Sequence, residues 1–154
     1  MKITTKGRYA IRAILDLAYN ERGEPIPISN MAVRQEISQP YLEHLFGKLR
    51  KAGLVKSIRG PGGGYLLAKP MDKISVREVF MAVGESVTPV ECVAIDGGPG
   101  ACNKVDQCIS LLLWRKLAKS IVETLAAITL ADLCNESAEV EKPSIPDHHY
   151  IYNI

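Results

Sequence analysis

Five consecutive residues, Gly60-Pro61-Gly62-Gly63-Gly64, constrain this chain more than any other stretch. Four glycines and a proline resist both a helix and the middle of a sheet, so they predict a turn. Short apolar runs stand on either side, residues 54–59 (LVKSIR) and 65–68 (YLLA), and read as two strands of a hairpin. Just upstream, Leu42, Leu45, Phe46 and Leu49 recur at helical spacing. Ser38 is a good N-cap for that helix, Pro40 fits its first turn, and Gly53 can supply a left-handed stop. Tyr41, His44, Lys48 and Lys51 lie largely off the apolar face, together with Gln39, Glu43 and Arg50. A short helix running straight into a basic-rimmed hairpin predicts a winged helix-turn-helix that reads DNA. A solvated face and a plain turn would explain each half separately, but the combination is more specific. Nucleotide binding fails on its motifs. No lysine follows the glycines as a P-loop requires, and Tyr65 stands where the dinucleotide fingerprint needs glycine.

The remaining helices follow from the same periodicities. Thr4 and Thr5 are candidate caps for a helix reaching Asn20, with Tyr9, Ala10, Ala13, Ile14, Leu17 and Ala18 on one face. Lys2, Lys6, Arg8 and Arg12 crowd its beginning, where positive charge opposes the helix dipole. A DNA phosphate would compensate, since helix starts attract anions; ordinary surface charge is the other explanation. Residues 21–27 read as a linker turn and residues 28–36 as a short helix that turns at Ile37-Ser38 into the reading helix. Beyond the wing, Ser75 and Glu78 form a capping box for a helix that stops at Gly84.

Residues 87–107 lose all periodicity, and from Cys108 a long helix runs to about Ile128. Trp114, Leu117, Ile121, Thr124 or Leu125, and Ile128 form a stripe close to heptad spacing. The other helices are already committed to a winged head, so a second copy of the chain is the expected partner of this stripe. Thr129 can cap a last short helix over residues 130–134, and the polar tail with Pro143 and Pro146 is expected to be loose. The expected fold is mainly α. A winged helix-turn-helix head with a two-stranded wing covers residues 1–84, and a cysteine-bearing loop covers 85–107. A long dimerisation helix and a short C-terminal helix cover 108–134, and a flexible tail covers 135–154.

Charge is divided along the chain in the same way. Residues 1–74 hold 13 Lys and Arg against 6 Asp and Glu, whereas residues 75–154 hold 6 against 11. A basic N-terminal half is the footprint of a phosphate-binding surface, and the acidic half is expected to do something else. No run approaches the length of a membrane span and the N-terminus lacks a signal-peptide core, so a cytoplasmic protein is expected. In that compartment four cysteines argue for metal or redox chemistry over structural disulfides. Cys92, Cys102 and Cys108, separated by nine and five residues on a Gly/Pro-rich loop, suit iron–sulfur chemistry or zinc. The Cys-x2–4-Cys clip of zinc fingers and the redox Cys-x-x-Cys pair are both absent. Spacing therefore leaves a metal site and unrelated thiols both open, and Cys134 reads as a small buried apolar residue.

Three runs carry a family resemblance: MKITTKGRYA at the start, YLEHLFGKLRK from Tyr41, and RGPGGGYLL from Arg59. With Leu113-Trp114-Arg115 and the run ITLADL from Ile128, they make residues 1–134 resemble the IscR-type iron–sulfur-responsive winged-helix regulators of bacteria. The resemblance implies a homodimer whose long helices cross at the dyad, with two heads on a palindromic site in double-stranded DNA. It implies that Cys92, Cys102 and Cys108 are the cysteine ligands of a [2Fe–2S] cluster. One position departs. Those regulators carry a histidine ligand three residues after the last cysteine, where this chain has Leu111. In the related nitric-oxide sensors an aspartate of the partner chain serves, and Arg8 stands at that position here. The fourth ligand is thus left open, with Glu91, Asp96 and Asp106 as the oxygen donors within reach.

These readings assign the residues as follows. Gln39, Tyr41, Glu43 and His44 face the major groove, Arg59 on the wing enters the minor groove, and Lys6, Arg8, Lys48 and Lys51 hold phosphates. The expected function is a regulator of transcription without catalysis, sensing iron–sulfur status and controlling iron–sulfur biogenesis or related genes. Two alternatives stand beside it: a cluster-free regulator controlled by a protein partner, and a thiol redox or metal-delivery protein.

Overall fold

Thr4 opens the first helix by accepting from the Gly7 N–H at 3.4 Å, and α1 then runs over Thr5–Asn20. The computed structural model describes residues 2–93 and 107–139. Ala10, Ala13, Ile14, Leu17 and Ala18 are buried along one face of α1, as their spacing predicts. α2 spans Ile28–Gln35 and ends where Glu36 adopts a left-handed φ of 53°. α3 spans Gln39–Lys51, with Pro40 in its first turn and Leu42, Leu45, Phe46 and Leu49 buried. Ser38 holds the N-cap position but makes no side-chain capping bond. The sequence gives the place of that cap and not its mechanism. Gly53, at φ +72°, supplies the left-handed stop.

α1 and α2 are pinned by a buried carboxylate. Asp16 is 7% exposed and accepts two bonds from Arg34 Nε, at 2.9 and 3.2 Å, one from its Nη2 at 2.7 Å and one from Gln35 at 3.0 Å. This fork-on-carboxylate geometry fixes the angle between the helices more tightly than apolar contact could. Hydrophobic periodicity carries no sign of it.

The wing is an antiparallel pair, β1 (Val55–Ile58) and β2 (Gly64–Leu67), with Val55 opposite Leu67 and Ile58 opposite Gly64. Its base is held from three directions. Tyr65 exchanges two 2.9 Å backbone bonds with Ile26, Glu21 accepts from the Leu67 N–H at 2.7 Å, and the Tyr65 ring packs 4.7 Å from Phe46. The segment read as a linker turn therefore contributes a strand-like bridge. Glycine is required in the turn for two reasons: Gly60 and Gly62 take φ of +101° and +73°, and a β-carbon on Gly64 would collide with the Ile26 carbonyl.

α4 (Val76–Val83) carries the expected capping box, with Ser75 and Glu78 bonded reciprocally, and Gly84 ends it at φ +67°. Past residue 107 the chain makes a turn through Cys108–Ser110 and enters α5, Leu111–Ala127, three residues later than expected. It then returns to the head. Val76 N–H bonds to the Ile128 carbonyl at 2.9 Å, and Leu130 N–H to the Ile74 carbonyl at 3.0 Å. Leu130 is fully buried in the same core as Ile14, Leu17 and Leu49. α6 covers Leu130–Glu139, longer than the expected 130–134, so residues 135–139 of the supposed tail are helical. Its start is a second capping box, in which the Thr129 hydroxyl and N–H hold the Asp132 carboxyl below its usual range. The rest of the tail lies outside the described residues.

The stripe on α5 divides. Ile121, Leu125 and Ile128 turn toward the head and line, with Ile3, Ile11 and Phe80, an open, wholly apolar groove of about 400 Å³. Leu112 and Leu113 are exposed at 64% and 57%, Leu117 at 41%, and Ile109 just before the helix at 89%.

Candidate nucleic-acid interface and cysteine segment

The polar side of α3 is open. Gln39, Glu43, His44 and Lys51 are exposed, Lys48 is half-buried, and the helix leads through Gly53 directly into β1. Gln39 donates from its side-chain amide to Glu43 at 3.0 Å, so these two expected groove residues form one unit one turn apart. Tyr41 is half-buried, because its ring meets Tyr9 edge-on at 6.0 Å. That contact brings the beginnings of α1 and α3 together. Arg59 is exposed at the end of β1, where the glycine turn begins. Arg50 is tied to the wing through Ser57 at 3.3 Å.

The start of α1 differs from expectation. Lys6 donates to the Gly84 carbonyl at 2.7 Å, so its ammonium is engaged within the chain. The amide of Thr4 is met by the carboxylate of Glu85 at 2.8 Å. An internal acid thus meets the helix start, where the sequence leaves a DNA phosphate and ordinary surface charge both open. Arg8 is exposed and donates to the Thr5 hydroxyl at 3.4 Å. Arg12 lies 5.3 Å over the Tyr9 ring and donates to Gln35. Sequence reasoning missed both Glu85 and Asp16. Glycine as the third residue of a helix was the one available signal, because it marks a close approach by another group.

Of the three clustered cysteines, Cys102 lies outside the described residues. Cys92 sits half-buried in a single 3-10 turn, Glu91–Val93, which packs against α5. Cys108 precedes α5, its Sγ 3.0 Å from the Ser110 hydroxyl. That hydrogen bond pulls the Cys108 thiol below its usual range, favouring the thiolate that binds metal. Burial pushes the Cys134 thiol the other way, in keeping with a residue packed on the core. Leu111 is only 7% exposed, so the position of the missing histidine points into the protein. Among the described residues no group of three His, Cys, Asp or Glu side chains is placed to hold a metal ion. No helix among them is long and apolar enough to cross a membrane.

An exposed polar helix leading into a basic wing defines a winged helix-turn-helix protein. The chain belongs to the Rrf2 family of iron-dependent transcriptional regulators, whose profile matches residues 3–136. It is 48% identical over 135 residues to the HTH-type transcriptional regulator IscR of Escherichia coli O1:K1, covering 88% of this chain and 81% of that one. Among solved structures it is similar to IscR of T. potens, with 37% identity, a TM-score of 0.74 and 93% of each chain covered. It is also similar to CymR, the global cysteine regulator of B. subtilis, with 35% identity, a TM-score of 0.70, and 88% and 98% covered. These relatives are regulators of transcription rather than enzymes, and this chain is a DNA-binding regulator of the same kind.

Proposed function

We propose that the chain acts as a homodimer on a palindromic promoter site and senses iron–sulfur status through Cys92, Cys102 and Cys108. The observation that carries the DNA half is the open face of α3 continuing into the wing at Arg59. Gln39, Tyr41, Glu43 and His44 are placed to read base edges, with Glu43 able to accept from a cytosine amino group. Lys48, Lys51 and Arg8 meet phosphates, and Lys6 does so only with the donor capacity left beside Gly84. Arg59 enters the minor groove. Two heads on one dimer match two half-sites about one helical turn apart.

The donor chemistry fits an iron–sulfur cluster. Thiolates are the ligands such clusters take, and Cys108 is biased toward that form. Cys92, on a turn packed against α5, and Cys108, at the entrance to α5, would hold the group together with Cys102. When bound, a [2Fe–2S] cluster supplies a group whose loss or oxidation reports the supply of iron and oxidant. The chain's part is to hold it at the base of α5 and to link that place to the reading head. Target genes of iron–sulfur biogenesis would complete the loop.

A second reading, a cluster-free regulator controlled by a protein partner, is favoured by the inward-facing Leu111. It leaves three cysteines without a fourth side-chain ligand on that helix. Anaerobic reconstitution decides between them. The iron–sulfur reading expects visible absorbance with stoichiometric iron and sulfide, lost in Cys92→Ala and in Cys108→Ala. A colourless wild type that still binds its operator would establish the second reading.

A further inference from the structure

Gly7 is the third residue of α1 and is buried. Glycine is the least favourable helix residue short of proline. Its place here has a steric reason, for a β-carbon would stand 2.8 Å from Cγ and Cδ of Glu85. Glu85 is 7% exposed and follows the Gly84 stop of α4. Its carboxylate accepts from the Thr4 N–H at 2.8 Å and from the Thr4 hydroxyl, while the Thr4 oxygen accepts in turn from Gly7 N–H. Beside it, Lys6 donates to the Gly84 carbonyl. The exit of α4 is thereby stitched to the entrance of α1, and the carboxylate lies against the positive end of that helix. A buried carboxylate deprived of such donors is strongly unfavourable, so the contact is made or broken and has little room to slide.

The position of this latch suits a connection. On one side, residues 86–90 lead to the turn bearing Cys92, which packs on α5. On the other, Gly7 is followed by exposed Arg8 and then by Tyr9, whose ring touches Tyr41 on α3. The contacts thus form a path from the Cys92 turn through Glu85 and the start of α1 to Tyr41 on α3. We propose that Glu85 is a positioning residue that couples the cysteine segment to the reading head by holding the first turn of α1. The proposal rests on the DNA-binding, cysteine-sensing reading above, and it assigns Glu85 no contact with DNA or metal.

The test uses the full chain as wild type, Glu85→Ala, Glu85→Gln and Gly7→Ala, the last displacing the carboxylate from the opposite side. Amide exchange at Thr4 and Gly7 is followed with the thiols free, iron-loaded and alkylated with iodoacetamide. In the wild type, loading or alkylation should change that exchange by about tenfold. In Glu85→Ala and Gly7→Ala it should be fast in every state. The ratio of operator affinities between loaded and metal-free protein should be about tenfold in the wild type. It should fall below about twofold in Glu85→Ala at unchanged visible absorbance, with Glu85→Gln restoring part of it through its remaining carbonyl. A full ratio in Glu85→Ala, or wild-type exchange indifferent to alkylation, overturns the coupling. A wild type that takes up no iron defeats the cluster reading, and the alkylation arm still decides the latch. Should Glu85→Ala fail to unfold cooperatively, Gly7→Ala and Glu85→Gln carry the decision.

Discussion

At the scale of the residue, two side chains state their chemistry most directly. Arg59 is exposed at the end of β1 and is held there by a turn that only glycines can make. A guanidinium on a rigid support loses little on binding, so Arg59→Ala should weaken operator binding by about 1–3 kcal/mol if the wing reads a base edge. An affinity unchanged in a titration of labelled operator would reduce the wing to a structural role. Cys108 is the second case. The Ser110 hydroxyl bond lowers its pKa, so its thiolate fraction, and with it the rate of alkylation, should rise at lower pH than for an ordinary cysteine. Ser110→Ala should move that profile to higher pH. Cys134, whose thiol is raised by burial, should react slowly throughout, and mass spectrometry of the modified peptides separates the two.

Among the elements, α4 shows how a local signal becomes a pH-dependent one. The bond from the Ser75 backbone lowers the Glu78 carboxyl below its ordinary value of 4.5; burial opposes it, and the bonds from Lys69 and the Ser75 hydroxyl lower it further. The sign follows from that depression. The charged cap adds stability that is complete above the unfolded value and lost as pH falls through the folded one. Glu78→Gln should cost about 0.5–1 kcal/mol at pH 7, a modest figure because the pair with Lys69 is two-fifths exposed. Denaturant midpoints of variant and wild type should converge in acid. The capping box was legible in advance because Ser75 and Glu78 stand three residues apart, as was the stop at Gly53; the pair with Lys69, nine residues from Glu78, was not. The wing turn was legible for the same reason. The bridge between Ile26 and Tyr65 and the burial of Leu130 were not, since each joins segments distant in sequence without imposing any local period. The contact of Lys6 with the end of α4 was hidden on similar grounds. Its acceptor, the Gly84 carbonyl, lies 78 residues away, and Glu85, the acid that compensates the start of α1, lies 81 residues from Thr4.

At the scale of the whole molecule, the α5 stripe offers two apolar surfaces to the proposed dimer. The sequence points to Ile121 as part of the seam, and Ile121 lines an open apolar groove beside the chain's own head. Leu112, Leu113 and Leu117, with Ile109, leave water-exposed apolar surface at the beginning of the same helix. Several large aliphatic side chains in contiguous turns are more than the scattered exposure that a soluble surface tolerates without function. A double variant, Leu113→Asp with Leu117→Asp, should therefore give monomers in sedimentation while its unfolding stays cooperative, because neither residue belongs to the buried core. Ile121→Asp places a charge in the apolar groove beside the head and should lower stability together with any dimer contact made there. DNA binding reads the same difference. A dimer making about six phosphate contacts should show a slope near −5 in log K against log salt. A monomer engages one half-site, so its slope should be about half as steep and its affinity for the palindrome should drop by about 10²-fold or more, the avidity lost with the second head. A wild type that is monomeric at micromolar concentration, or a double variant that keeps the steep slope, would place the dimer contact elsewhere and leave the exposed leucines of α5 to a different partner.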